Sequence, residues 1–131
     1  MGNLARLGGR MQRSLAGEIL MTMTIYMLKS CDSCKKAIKA LQAAGHDPVL
    51  VDVRADGVPK DHLAGWLETH GADVMINRKS TTWRGLDDAE RQADPLALLM
   101  ANPTLMKRPV IVADGTSYVG WSKDVQAALG L

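Results

Sequence analysis

From Thr24 to Leu28 the chain reads Thr-Ile-Tyr-Met-Leu, a short β-branched and apolar run that stops at the polar pair Lys29-Ser30. A run of this kind, bounded by a polar break, predicts a buried strand. From Asp32 to Ala44 the small or apolar residues Cys34, Ala37, Ile38, Leu41 and Ala44 recur at helical spacing, with Lys35, Lys36, Lys39 and Gln42 on the other side. The spacing predicts an amphipathic helix, and Gly45 follows it as a C-terminal cap. Pro48 to Val53 predicts the next strand, and in the break Gly57-Val58-Pro59 the proline is placed to open a helix.

Between Pro59 and Gly71, His62, Leu63, Trp66 and Leu67 form an apolar-leaning stripe. Asp87 to Ala101 predicts further helix, interrupted near Asp94-Pro95 and ended by Asn102-Pro103. The last third changes period. Pro109 to Ala113 is β-like, Asp114-Gly115 is a hairpin turn, and Ser117 to Gly120 can return antiparallel. A final helix begins near Ser122, a suitable N-cap, with Asp124 in the first turn and Val125, Ala128 and Leu129 on the buried face. The order is βαβ, helices, ββα. It predicts an α/β fold of thioredoxin-like (glutaredoxin-like) plan, a mixed sheet with helices on both faces and a helical insertion.

At 131 residues the chain has the length of one domain. With 47% hydrophobic and 23% charged residues it can build a core, and no apolar run approaches the roughly 20 residues that cross a bilayer. No membrane association is expected. The net charge of +2 comes entirely from the first 20 residues, which hold Arg6, Arg10 and Arg13 against Glu18; the rest balances at 13 basic and 13 acidic residues. A neutral body with no Phe, three Trp and two Tyr lacks the basic field and stacking platforms that direct nucleic-acid binding requires. Residues 1-22 are set aside as an extension, read as a disordered tail or extended gene start, an Arg-rich transit segment or a functional arm. The domain is 23-131.

Both cysteines sit together, at Cys31 and Cys34. A two-residue loop restrains almost none of the chain, so the pair is no structural staple and the expected compartment is the reducing cytoplasm. Between a strand and a helix, the first sulfur meets the unpaired N–H groups and positive dipole end of the helix, which favour a thiolate. Cys31 is expected to be the accessible nucleophile, and Cys34, on the helix face turned toward the sheet, the resolving thiol. Lys29, Lys35 and Lys36 can add positive potential, while Asp32 opposes it. Two other readings stay open: a zinc site drawing on His46, His62 or His70, although no second paired spacing supports it, and two incidental buried cysteines.

The chain from Met23 to Leu131 resembles the arsenate reductase (ArsC) family, and more closely its YffB/Spx-type branch. The resemblance rests on Thr24-Ile25-Tyr26, Cys31-Asp32-Ser33-Cys34-Lys35-Lys36-Ala37, Asn77-Arg78 with Thr81-Thr82-Trp83-Arg84-Gly85-Leu86, and Lys107-Arg108-Pro109 followed by Val119-Gly120, in that order. It implies a thioredoxin-like fold with a helical insertion, Cys31 as the active cysteine, and Arg78 and Arg108 around the thiolate and its anionic substrate. It implies a cis Arg108-Pro109 bond, whose exposed backbone can pair with a thiol substrate. Lys29, Arg84 and Pro109 complete the expected substrate-binding set. The chain departs from active arsenate reductases in its Met27-Leu28-Lys29-Ser30 approach and at Gly120-Trp121, where a third arginine is expected.

The resemblance implies a thiol-disulfide reductase linked to glutathione as co-substrate, with no bound cofactor and a monomeric state. A second implied reading is an Spx-type regulator that binds the RNA polymerase α subunit and uses the cysteine pair as an oxidation switch. A true arsenate reductase is the third.

Overall fold

A computed structural model describes residues 22–131. The expectations for the extension lie, Thr22 excepted, outside the described residues. Strand β1 (Met23–Met27) leads through a turn into helix α1 (Asp32–Ala43), which returns to strand β2 (Val49–Asp52). β1 and β2 run parallel with Ile25 opposite Leu50, as a βαβ connection demands. After the helical insertion, strands β3 (Val110–Ala113) and β4 (Thr116–Val119) form a hairpin, and β3 pairs antiparallel with β1. The sheet order is β2-β1-β3-β4. The hairpin turns at Asp114 and Gly115, both at positive φ (49° and 84°), the pairing that an Asp-Gly two-residue turn favours.

The alternation of side chains along the strands divides the interior into two cores. Met23, Ile25, Met27, Ile111 and Ala113 face one side, where they meet Cys34, Ala37 and Leu41 of α1 and Leu129. Leu129 follows the closing helix, which spans Lys123–Ala128 and is capped by Ser122. Tyr26, Leu28 and Val110 face the other side, toward the insertion. Both faces of the mixed sheet are therefore covered, as the sequence pattern predicts. Ala44 and Ala128, expected on buried faces, are exposed: Ala44 is the C-cap residue just past α1, and Ala128 is the last residue of the closing helix.

The insertion contains more pieces than the periodicity predicts. Asp52 ends β2 and caps a single turn, α2 (Val53–Asp56), by accepting from the N–H groups of Arg54 and Ala55. Helix α3 (Lys60–His70) carries the buried Leu63 and Trp66; α4 (Ala72–Met75), α5 (Thr81–Arg84) and α6 (Asp88–Arg91) are single turns; α7 is Pro95–Ala101. Asp94 caps α7, with Pro95 in its first turn, which is why the helical region from Asp87 is broken there. A 3-10 turn at Pro103–Leu105 leads back to the sheet.

Candidate functional site

Cys31 is the N-cap of α1. Its own N–H donates to the Leu28 carbonyl (2.9 Å), its carbonyl accepts from the Lys35 N–H (3.1 Å), and its Sγ accepts from the Cys34 N–H at 3.3 Å. A sulfur in the capping position faces N–H groups that the first helical turn leaves without intrahelical partners. This is a hydrogen bond a thiolate accepts more strongly than a thiol. Cys31 is half-buried where the two cores meet, whereas Cys34 has no exposed surface. Both thiols are free.

The two sulfurs therefore differ in kind. Burial pushes the Cys34 thiol up to about 12, and its hydrogen bond to Cys31 adds to the shift; a backbone hydrogen bond at Leu28 and the charge of Arg108 oppose it and do not prevail. Cys34 thus stays protonated through the neutral range. Lys29, Lys35, Lys36 and Asp32 are all exposed around α1's first turn.

A cleft of about 660 Å3 opens beside the first turn of α1; Ser33, between the cysteines, is on its wall, while Cys31 and Cys34 themselves are not. Its assembly depends on contacts far apart in sequence. Ile76 bridges Met106, the Asn77 N–H donates to the Leu105 carbonyl (2.9 Å) and the Lys107 N–H to the Met75 carbonyl (2.8 Å). These bonds lay the segment after α4 against the segment before β3, and so bring Arg78 and Arg108 to one cleft. The Arg108–Pro109 peptide bond is cis, as the resemblance implies. Pro109 itself is buried, and its carbonyl accepts from the Gly120 N–H at 2.8 Å.

The two arginines are held differently. Arg108 donates through one terminal nitrogen to the carbonyls of Thr104 (2.6 Å) and Met106 (3.0 Å), and its buried Nε has no partner. The lowering effect of its charge falls on Cys34. Arg78 is exposed, ion-paired to Asp73 at 2.8 Å, and lies over the Trp83 ring with 5.5 Å to the centroid. Arg91 meets the same ring at 5.4 Å and donates to the Trp83 carbonyl. Arg84 and Lys29, expected to bind substrate, are not on the cleft wall. Arg84 is turned back onto the Lys79 carbonyl at 2.7 Å, and Lys29 is exposed in the turn before Cys31.

Sequence reasoning missed several wall residues. Lys107 lies inside the Lys107-Arg108-Pro109 motif and Trp121 directly after Val119-Gly120, yet neither is singled out there as a site residue; Asp73, Val74 and Lys79 carry no local signal. The histidines lie elsewhere: His70 Nε2 is 2.8 Å from Ser117 Oγ, and His62 joins Tyr26 and Trp66 in an aromatic cluster. Among the described residues, no three His, Cys, Asp or Glu side chains converge as metal ligands. No helix of the described residues is long and apolar enough to cross a membrane.

Comparison with known proteins adds what the geometry alone lacks. The model of the ArsC family matches residues 26–129. An uncharacterized protein of Haemophilus influenzae is 40% identical over 111 residues, 81% of this chain and 97% of that protein. The global transcriptional regulator Spx of Staphylococcus epidermidis is 27% identical over 78% of this chain and 82% of its own length. Among solved structures, the YFFB protein superposes with a TM-score of 0.76 at 34% identity, covering 82% of this chain and 97% of its own.

Proposed function

Because this chain belongs to the ArsC family, we propose that it is a thiol-disulfide reductase of the cytoplasm in which Cys31 attacks, Cys34 resolves and glutathione restores the reduced pair. The observation that supports this most is the inequality of the two sulfurs, one capping a helix and half-exposed, the other buried and pushed up to about 12.

The Cys31 thiolate attacks one sulfur of a substrate disulfide. A bond forms between Cys31 and that sulfur, the substrate S–S bond breaks, and one substrate thiolate departs. Cys34 gives its proton to the departing thiolate and attacks the Cys31 sulfur; the Cys31–Cys34 disulfide forms, the bond from Cys31 to the substrate sulfur breaks, and the second substrate half leaves as a thiolate that takes its proton from water. Two electrons have passed to the substrate. Two glutathione molecules return them and leave as glutathione disulfide. Arg108, whose charge favours ionised Cys34, lowers the cost of the second attack. The cleft suits a substrate larger than arsenate, since about 660 Å3 is far more than a tetrahedral oxyanion fills.

Turnover of a glutathione mixed disulfide by wild type, Cys31→Ser and Cys34→Ser tests the reading. Cys31→Ser is expected to abolish turnover. Cys34→Ser is expected to accumulate the mixed disulfide on Cys31, released by added glutathione. Full turnover by Cys31→Ser would remove the proposal. The likeness to Spx supports a second reading, a redox-sensing regulator that binds the RNA polymerase α subunit. Its signature is stoichiometric oxidation without turnover, together with retention of the α subunit in a pull-down.

A further inference from the structure

The cleft wall is made of two chemistries. The segment 73–79 contributes Arg78 and Lys79 against the single carboxylate of Asp73, and Lys107 and Arg108 add two more cations. The end of β4 contributes Val119, the segment after it the half-buried Trp121 ring, and Val74, 43% exposed, extends the apolar surface. A cleft for a small inorganic anion has no use for an exposed valine and an indole. A purely apolar pocket has no use for four cations. The volume of about 660 Å3 lies within the ~300–1,000 Å3 of clefts that enclose drug-sized molecules.

We propose that the cleft binds a stretch of peptide, so that the preferred substrate is a cysteine disulfide flanked by both an acidic and an apolar side chain. This rests on the reductase reading and narrows its substrate class. The acidic group meets Arg78, Lys79 and Lys107, where the carboxylate of Asp73 already shows that Arg78 accepts such a partner at 2.8 Å. The apolar side chain covers the Trp121 ring and Val119. Trp121 and Lys79 act here as specificity-determining residues.

The test uses the symmetrical disulfides of three blocked tripeptides, acetyl-Asp-Cys-Leu-amide, acetyl-Lys-Cys-Leu-amide and acetyl-Asp-Cys-Ser-amide, with kcat/KM measured at low salt. Wild type is expected to favour the first over the second by about fivefold, the scale of exposed ion pairs, and over the third by about tenfold, the scale of an apolar contact. Trp121→Ser is expected to erase the Leu-over-Ser preference while keeping Asp over Lys. Lys79→Gln is expected to weaken Asp over Lys while keeping Leu over Ser. General structural damage lowers all three rates together and cannot produce this crossed pattern. Equal rates for the three peptides, or preferences that survive both substitutions, would overturn the proposal while leaving the glutathione mixed-disulfide result standing. If wild type reduces none of the three, their affinity for the Cys31→Ser variant, read by tryptophan fluorescence, is held to the same criterion.

Discussion

At the scale of single residues, the motifs give Arg78 and Arg108 equal standing, and their surroundings separate them. Arg108 holds two carbonyls, while Arg78 makes an exposed ion pair with Asp73. Hydrogen bonds to a charged donor are worth about 1.5–3 kcal/mol when the partner is otherwise left without one, and exposed ion pairs under about 1 kcal/mol. Arg108→Ala is therefore expected to lower unfolding stability by about 2 kcal/mol or more in urea titrations, and Arg78→Ala by less than about 1 kcal/mol. Equal losses would show that Arg108's carbonyl contacts contribute no stability. Cys34 carries a pH signature. Folded, its thiol loses its proton near 12, and in the unfolded chain near its ordinary value of 9.0. Below 9 both states hold the proton and the group adds no pH dependence. As pH rises from 9 toward 12 the unfolded state ionises first, so stability falls. The stability advantage of wild type over Cys34→Ala should shrink between pH 9 and 11; a constant gap would mean that the buried thiol ionises as readily as an unfolded one.

At the scale of elements, the strands, α1 and the hairpin were legible because each carries a local cause: β-branched runs, helical spacing, an Asp-Gly turn. The arrangement of the insertion was not. α4 and α5 are single turns with no period to read, and the bridge from Ile76 to Met106 joins segments about 30 residues apart that share no motif. Arg84 shows the same limit. It stood in a recognised motif, yet the turn of α5 sends its guanidinium back to the Lys79 carbonyl. Leu105, fully buried under the bridge, anchors the segment that carries Lys107 and Arg108. Leu105→Ala is expected to cost roughly 2–5 kcal/mol, as deletion of a core side chain does, and to weaken peptide binding in the cleft as well. A stability loss that left binding intact would show that the cleft holds its shape without this packing.

At the scale of the whole molecule, the two-sided core fixes which sulfur is which. α1 lies on one face with Cys34 turned into the sheet, and the capping position lifts Cys31 to the seam between the cores. That the two cysteines differ in burial, Cys31 at the helix start and Cys34 inside, was readable from spacing alone; the apolar half of the cleft was not, because Val74 comes from α4, Val119 from β4 and Trp121 from the segment after it. The most direct measurement is a short pulse of iodoacetamide at neutral pH on the reduced native protein, quenched and read by peptide mapping, with the same pulse on the unfolded chain. Label confined to position 31 in the native protein, and shared between 31 and 34 after unfolding, is the expected result. Label at 34 as early as at 31 in the native protein would contradict the division of roles on which the account rests.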